Sequence, residues 1–157
     1  MPRITPFLWF DGRAEEAANF YTSIFKNSKI RNIARYPEGS PGPVGTVMTV
    51  AFELDGRPFT ALNGGPLFKF NEAISFVVHC ENQAEVDEFW EKLSEGGAKS
   101  QCGWLKDKFG VSWQIVPTVL LEMLQDKDAG KSKRVMRAML QMHKLDIQAL
   151  QQAYEQQ

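Results

Sequence analysis

The feature that most constrains the fold of this sequence is a strand–helix–strands pattern that occurs twice. In each half an apolar strand precedes an amphipathic helix, and the two helical stripes match at one constant offset. The matched pairs are Glu16 with Glu85, Phe20 with Phe89, Tyr21 with Trp90, and Ile24 with Leu93. The same offset aligns residues 6–8 with 75–77 without a gap. Two amphipathic helices can look alike by chance, but the ungapped match favours an internal duplication.

Capping and turn signals mark the elements of the second half. Asn82 followed by Glu85 is a capping box and predicts the start of the second helix. Strands are predicted near residues 98–104 and 111–116, with a turn between them. Asp107 lies in that turn, where a carboxylate commonly caps backbone amides.

The predicted organisation is an α+β domain with a helical tail. Residues 1–117 form the paired modules, at about 1–66 and 67–117. Apolar residues at helical spacing after Pro117 predict a helical extension of the same domain over residues 118–157.

Composition and charge narrow the class of protein. The 157 residues are 43% hydrophobic and 24% charged, which is ordinary for one globular domain. A formal net charge of -1 gives no electrostatic reason to bind nucleic acid or an anionic membrane surface. No apolar run approaches the roughly 20 residues of a membrane helix. Cys80 and Cys102 are too few for a disulfide framework, so we expect reduced thiols and a cytoplasmic location.

Three stretches carry a family resemblance: residues 6–12 (PFLWFDG), 73–78 (AISFVV) running into 85–87, and above all 101–117 (QCGWLKDKFGVSWQIVP). Together they resemble the PhnB-like proteins, often labelled 3-demethylubiquinone 3-methyltransferases, a branch of the vicinal oxygen chelate (glyoxalase/bleomycin-resistance) superfamily. The resemblance extends over nearly the whole chain, including the tail. It implies two βαβββ modules in a curved mixed sheet that encloses a small-molecule pocket, and a homodimer. Whether the modules pair within one chain or across the dimer is left open.

The resemblance also implies where a metal would bind. Metal-dependent relatives place about four His, Glu or Gln ligands on the first and last strands of the two modules. Those positions fall at Pro6 and Ser75 on the first strands, and near Asn63 and at Gln114 on the last strands. Proline has no coordinating side chain and the others are neutral, so we expect no metal and no other cofactor.

The same positions predict a polar patch in an apolar pocket. Asn63, Ser75 and Gln114 supply amide and hydroxyl groups, and strand alternation adds His79 to the Ser75 face. Cys102 and Trp104 complete the predicted pocket. Each residue also has a structural interpretation: His79 as a hydrogen-bonded strand-end residue, Cys102 as an inert thiol, and Trp104 as core.

Two functions of different class follow. One is a metal-free protein that binds a small organic ligand without chemistry. The alternative is an enzyme, of metal-dependent lyase, isomerase or dioxygenase type, that acts on a small aromatic or oxygenated substrate. A literal methyltransferase stands well behind, because S-adenosylmethionine enzymes usually carry a Gly-rich turn that opens a helix after the first strand. Gly64-Gly65 opens no predicted helix, and Gly96-Gly97 closes one.

Overall fold

The computed structural model describes residues 2–156 and has the expected α+β architecture, with two modules of four strands and one helix each. Contacts along the chain divide it into two units, the first ending at Phe70 and the second beginning at Asn71. None of the helices in the described part of the chain is long and apolar enough to cross a bilayer.

The first unit is one four-stranded sheet covered by one helix. Its elements are β1 (Phe7–Phe10), α1 (Ala14–Ile24), β2 (Lys29–Arg35), β3 (Val47–Leu54) and β4 (Arg57–Asn63). The strand order is β1-β4-β3-β2; β1 and β4 are parallel and the other neighbours are antiparallel. Tyr21 of α1 is fully buried and its ring stacks on Phe52 of β3, at 6.2 Å between centroids. The helix stripe predicted from the sequence therefore faces the sheet.

The second unit repeats that topology and adds the tail. Its elements are β5 (Ser75–Cys80), α2 (Gln83–Ser94), β6 (Ala98–Lys99), β7 (Trp104–Lys106), β8 (Ser112–Pro117), α3 (Thr118–Leu124), α4 (Ala129–Leu140) and α5 (Ile147–Glu155). The strand order is β5-β8-β7-β6, with β5 and β8 parallel. Three buried tail side chains, Val135, Leu145 and Leu150, pack with Val116 and Leu120 in one apolar cluster.

The strand predicted near residues 98–104 is instead two short strands separated by a tight turn. β6 has only two residues, and Cys102 and Gly103 both have positive φ, at 59° and 82°. An extended strand cannot contain two residues in the left-handed region. The prediction missed this turn because Cys is an unusual residue there.

The repeat needs a one-residue correction in its first strand. In the helices the offset holds, since Tyr21 and Trp90 are both buried against their sheets. In β1 the buried residues are Leu8 and Phe10, and Phe10 matches the buried Cys80 only if the offset is one residue larger. The β1–α1 connection contains one residue more than the β5–α2 connection. Side chains alternate between the two faces of a strand. An alignment of β1 with β5 at the helix offset therefore pairs each β1 side chain with a β5 side chain on the opposite face.

Candidate functional site

The open face of the second sheet carries most of the residues predicted for the pocket. On β5 the buried Cys80 faces α2, whereas Val77 is 42% exposed on the opposite face. Strand alternation places Ser75 and His79 on the same open face as Val77.

Ser75, Gln114 and Trp104 come together across three neighbouring strands. Gln114 Nε2 donates a hydrogen bond to Ser75 Oγ at 2.9 Å. Gln114 also stands opposite Trp104 in the β7–β8 register. A hydroxyl and an amide can orient a carbonyl or a hydroxyl group by hydrogen bonding, but neither is a base at neutral pH.

A cavity of about 610 Å³ lies along β7 and the β6–β7 turn, lined by Glu72, Gln101, Cys102, Trp104, Lys106 and Ser112 among others. Its volume falls within the range of small-molecule sites. The charges on its wall are paired, because Lys106 Nζ lies 3.1 Å from Glu72 Oε1 and Lys99 Nζ lies 2.8 Å from Glu91 Oε1. The hydrogen bond from Lys106 holds the pKa of Glu72 below its usual value. The cavity therefore presents an indole, neutral polar groups and a compensated ion pair.

The two cysteines have different surroundings. Cys80 is fully buried, and its burial raises the pKa of its thiol to about 12, with a smaller contribution from the charge of Glu85. Such a thiol stays protonated and unreactive at neutral pH. Cys102 is partly exposed and lines the cavity. Both are free thiols, and only Cys102 is placed to meet a reagent.

His79 lies on the same strand face as Ser75 but four residues further along. At a rise of about 3.3 Å per residue, the two Cα atoms are roughly 13 Å apart. His79 stands opposite Val116 near the end of the ladder, where it is exposed. Ser75 and His79 thus lie on either side of Val77, the register partner of Gln114, and the Gln114 amide donates to Ser75.

Asn63 belongs to the first unit, where its side chain holds the start of α1. Asn63 Oδ1 accepts a hydrogen bond from the Ala14 amide at 2.8 Å, and Nδ2 donates to the Val47 carbonyl at 3.1 Å. The Tyr36 hydroxyl donates to the Asn63 carbonyl. A separate cavity of about 530 Å³ lies beside Asn63. Both the oxygen and the nitrogen of the Asn63 side-chain amide are thus used in hydrogen bonds within the first unit.

Asp107 organises the β7–β8 connection from a buried position. Its Oδ1 accepts hydrogen bonds from the amides of Phe109 and Val111, at 2.9 and 3.0 Å. Its Oδ2 accepts a hydrogen bond from Trp113 Nε1 at 2.8 Å. The capping role expected for Asp107 is confirmed, and the buried Trp113 is part of the core.

The side chains at the corrected metal positions do not fit the metal of glyoxalase-type relatives. With the shifted offset, Ser75 corresponds to Thr5 rather than Pro6, and the paired registers match Gln114 with Thr60 rather than Asn63. The set becomes three hydroxyls and one amide, all of them neutral and poor ligands for zinc or a similar ion. Within residues 2–156, no three His, Cys, Asp or Glu side chains come together in a way that could hold a metal ion.

Paired βαβββ modules with this strand order define the glyoxalase-type fold of the vicinal oxygen chelate superfamily. FosX from Listeria monocytogenes, a fosfomycin resistance protein crystallised with Mn(II) and sulfate, shares this fold. It has a TM-score of 0.55 at 17% identity, over 79% of this chain and 98% of its own. A protein from Pseudomonas aeruginosa has a TM-score of 0.61 at 20% identity, over 74% of this chain and 98% of its own.

A nearer relative is a PhnB protein from Bacillus cereus, described as a putative 3-demethylubiquinone-9 3-methyltransferase. It is 42% identical, with a TM-score of 0.68, over 74% of this chain and 100% of its own. The model of the family described as 3-demethylubiquinone-9 3-methyltransferase matches residues 2–116. This chain belongs to that PhnB-like family. No curated protein matches the sequence.

The family match ends at residue 116, so α3, α4 and α5 lie outside it. The expected resemblance in the tail stays a prediction.

Proposed function

We propose that this protein binds a small organic ligand on the open face of its second sheet, without the metal centre of glyoxalase-type relatives. The observation that carries the proposal is the cavity lined by Trp104, whose register partner Gln114 is hydrogen-bonded to Ser75. An indole favours a flat apolar body, and the neutral pair favours one carbonyl or hydroxyl group on the ligand. The ligand class is therefore small, aromatic and oxygenated.

The neutral donor set supports binding without a metal. Thr5, Thr60, Ser75 and Gln114 offer no charged or imidazole ligand at the positions that metal-dependent relatives use. The methyltransferase label gains no support from the fold, because each sheet contains only one parallel strand pair. A Rossmann-like cofactor site is built on a mostly parallel sheet with a Gly-rich turn.

The test is thermal unfolding with separate additions of Zn²⁺, Ni²⁺, Mn²⁺ or Fe²⁺, of S-adenosylmethionine, and of phenol, catechol and benzoate. A ligand at 100 times its Kd stabilises a protein by roughly 2.7 kcal/mol, which is a shift of several degrees. We expect a shift with an aromatic probe and none with the metals or the cofactor. A metal shift would overturn the metal-free site, and a shift with S-adenosylmethionine alone would restore the methyltransferase.

Matched variants locate the site. Trp104→Ala and Gln114→Leu remove the stacking surface and the amide, and each should abolish the probe shift. Thr60→Ala changes the counterpart of Gln114 in the first sheet and should leave the probe shift unchanged. Conversion of a probe, detected by mass spectrometry and lost in Cys102→Ser, would favour an enzyme over a binding protein.

A homodimer and a cytoplasmic location complete the proposal. Free thiols at Cys80 and Cys102 are consistent with a reducing compartment. Sedimentation equilibrium distinguishes a dimer from a monomer of 17.8 kDa.

A further inference from the structure

The tail contacts the cavity wall through the loop between α4 and α5. The Cys102 amide donates to the Met142 carbonyl at 2.8 Å, and the Gly103 amide donates to the His143 carbonyl at 2.8 Å. The side chains of Gln101 and His143 lie 3.3 Å apart, between their Nε2 atoms. Three consecutive residues of the β6–β7 turn are therefore held by the tail.

The turn that the tail holds is conformationally costly. Cys102 has φ 59°, in the left-handed region that residues with a Cβ atom rarely adopt. Gly103 has φ 82°, and a Cβ atom on it would lie 2.8 Å from the Ile115 carbonyl oxygen and 3.0 Å from Leu145 Cδ1. Only a glycine fits there, between β8 and the buried Leu145 of the loop.

Gln83, at the start of α2, connects this loop to α2 by hydrogen bonds. Its Nε2 donates to the Leu145 carbonyl at 3.0 Å, and its Oε1 accepts from the Ile147 amide at 2.8 Å. Both atoms of one side-chain amide thus bridge the residues on either side of Asp146. Lys144 adds an ion pair to Asp87, at 3.0 Å and largely exposed, which contributes little.

The held turn lines the cavity, because Gln101 and Cys102 lie on its wall beside Trp104. We infer that the tail is a positioning element for this cavity, and that Gln83 is the positioning residue that fixes the loop against the β6–β7 turn. The inference rests on the proposed function only where it treats the cavity as a ligand site. The coupling between the tail and the turn stands on the hydrogen bonds alone.

The test is the rate at which 5,5′-dithiobis(2-nitrobenzoic acid) modifies Cys102 in the native full-length chain. The chain has two cysteines, and the buried Cys80 reports any general opening of the second unit. Gln83→Met keeps the side-chain length and removes both hydrogen bonds to the loop, together with the one that Gln83 Nε2 donates to Asp87 Oδ1 at 3.0 Å. Losing two hydrogen bonds of about 1 kcal/mol each should raise the Cys102 rate about tenfold or more through local opening, while Cys80 stays unreactive.

Two further variants make the result specific. Gln148→Met makes the same change on an exposed tail position and should leave the rate unchanged. Gln83→Glu keeps an acceptor for Ile147, but it cannot donate to Leu145 and it places a carboxylate beside Asp87, so it should raise the rate at least as much as Gln83→Met. An unchanged Cys102 rate in Gln83→Met would overturn the inference. So would simultaneous reaction of both thiols in Gln83→Met and Gln83→Glu, because the effect would then be general unfolding.

Probe binding separates this inference from the proposed function. If Cys102 responds to Gln83→Met but no aromatic probe binds the unmodified protein, the positioning role stands and the proposed function fails. If a probe binds the unmodified protein and Gln83→Met weakens it at least fivefold with Cys80 still protected, both stand. If Gln83→Met changes neither probe binding nor Cys102 reactivity, the proposed function stands and the positioning role is overturned.

Discussion

The two sheets share one strand order but complete their outer strands in different ways. In the first sheet, β2 forms a ladder of six residue pairs with β3. In the second, β6 forms only two pairs with β7, and the Cys102 and Gly103 amides in the turn that follows donate to carbonyls of the tail. Buried backbone amides need a hydrogen-bond partner, and the second module finds these two partners in the tail. The outer strand of the first module is thus completed within its own sheet, whereas the turn after β6 depends on the tail.

The largest effect should come from the aromatic residues that the two modules share. Tyr21→Ala and Trp90→Ala each remove a buried ring that joins helix to sheet, and each should cost about 3–5 kcal/mol in the free energy of unfolding. Urea unfolding measures both. Equal costs would support equivalent roles for the two helices. A cost below about 1 kcal/mol at Trp90 would contradict the equivalence.

Substitutions in the turns that precede the last strands of the two modules should differ in their cost to the free energy of unfolding more than the two helix substitutions do. Asp107→Asn places an amide where the carboxylate accepts three hydrogen bonds, and should cost about 3 kcal/mol. Asp55→Asn is the same change in the exposed hairpin of the first module, where Asp55 has φ 50°. Asn tolerates that conformation, so the cost should stay within about 0.5 kcal/mol. Chemical denaturation of the two variants side by side decides whether only the second turn depends on its carboxylate.

Alkaline pH should weaken the second module selectively. Phe10 and Cys80 occupy equivalent buried positions, but only Cys80 titrates. Its folded pKa of about 12 lies above the ordinary 9.0, so the stabilisation is complete below pH 9 and is lost as the pH rises towards 12. At pH 10 the loss should be about 1 kcal/mol. Thermal unfolding between pH 8 and pH 10.5 shows it, and Cys80→Val should remove the pH dependence if Cys80 is the cause.

The smallest expected effect concerns the left-handed residues. The first module places Asn27 and Asp55 there, which tolerate the conformation, whereas the second places Cys102. Cys102→Gly should stabilise the protein by roughly 0.5–1 kcal/mol, and Asn27→Gly should change little. The midpoint of urea unfolding measures both changes. A destabilised Cys102→Gly would show that contacts of the thiol outweigh the backbone strain.

Most of the fold could be predicted from local patterns. Both module helices, the Asn82–Glu85 cap and the three tail helices follow from residues within a few positions of one another. Asn82 does accept from the Glu85 amide, at 2.9 Å. The predicted pocket residues are distributed over both units: Ser75, His79, Trp104 and Gln114 lie on strands of the second sheet, whereas Asn63 lies in the first unit. Which residues converge depends on strand register, and one additional loop residue was enough to change it.

The two module helices show where local information ends. The sequence by itself determined the duplication, the two module helices and the cap of α2, because each depends on near neighbours. Only the tertiary structure decided that Asn63, 49 residues away, caps α1, and that the tail carbonyls hold Cys102 and Gly103. Those contacts join atoms that the chain brings together only after its strands have paired. The periodicity and spacing of residues do not predict which distant carbonyl a backbone amide will bond to.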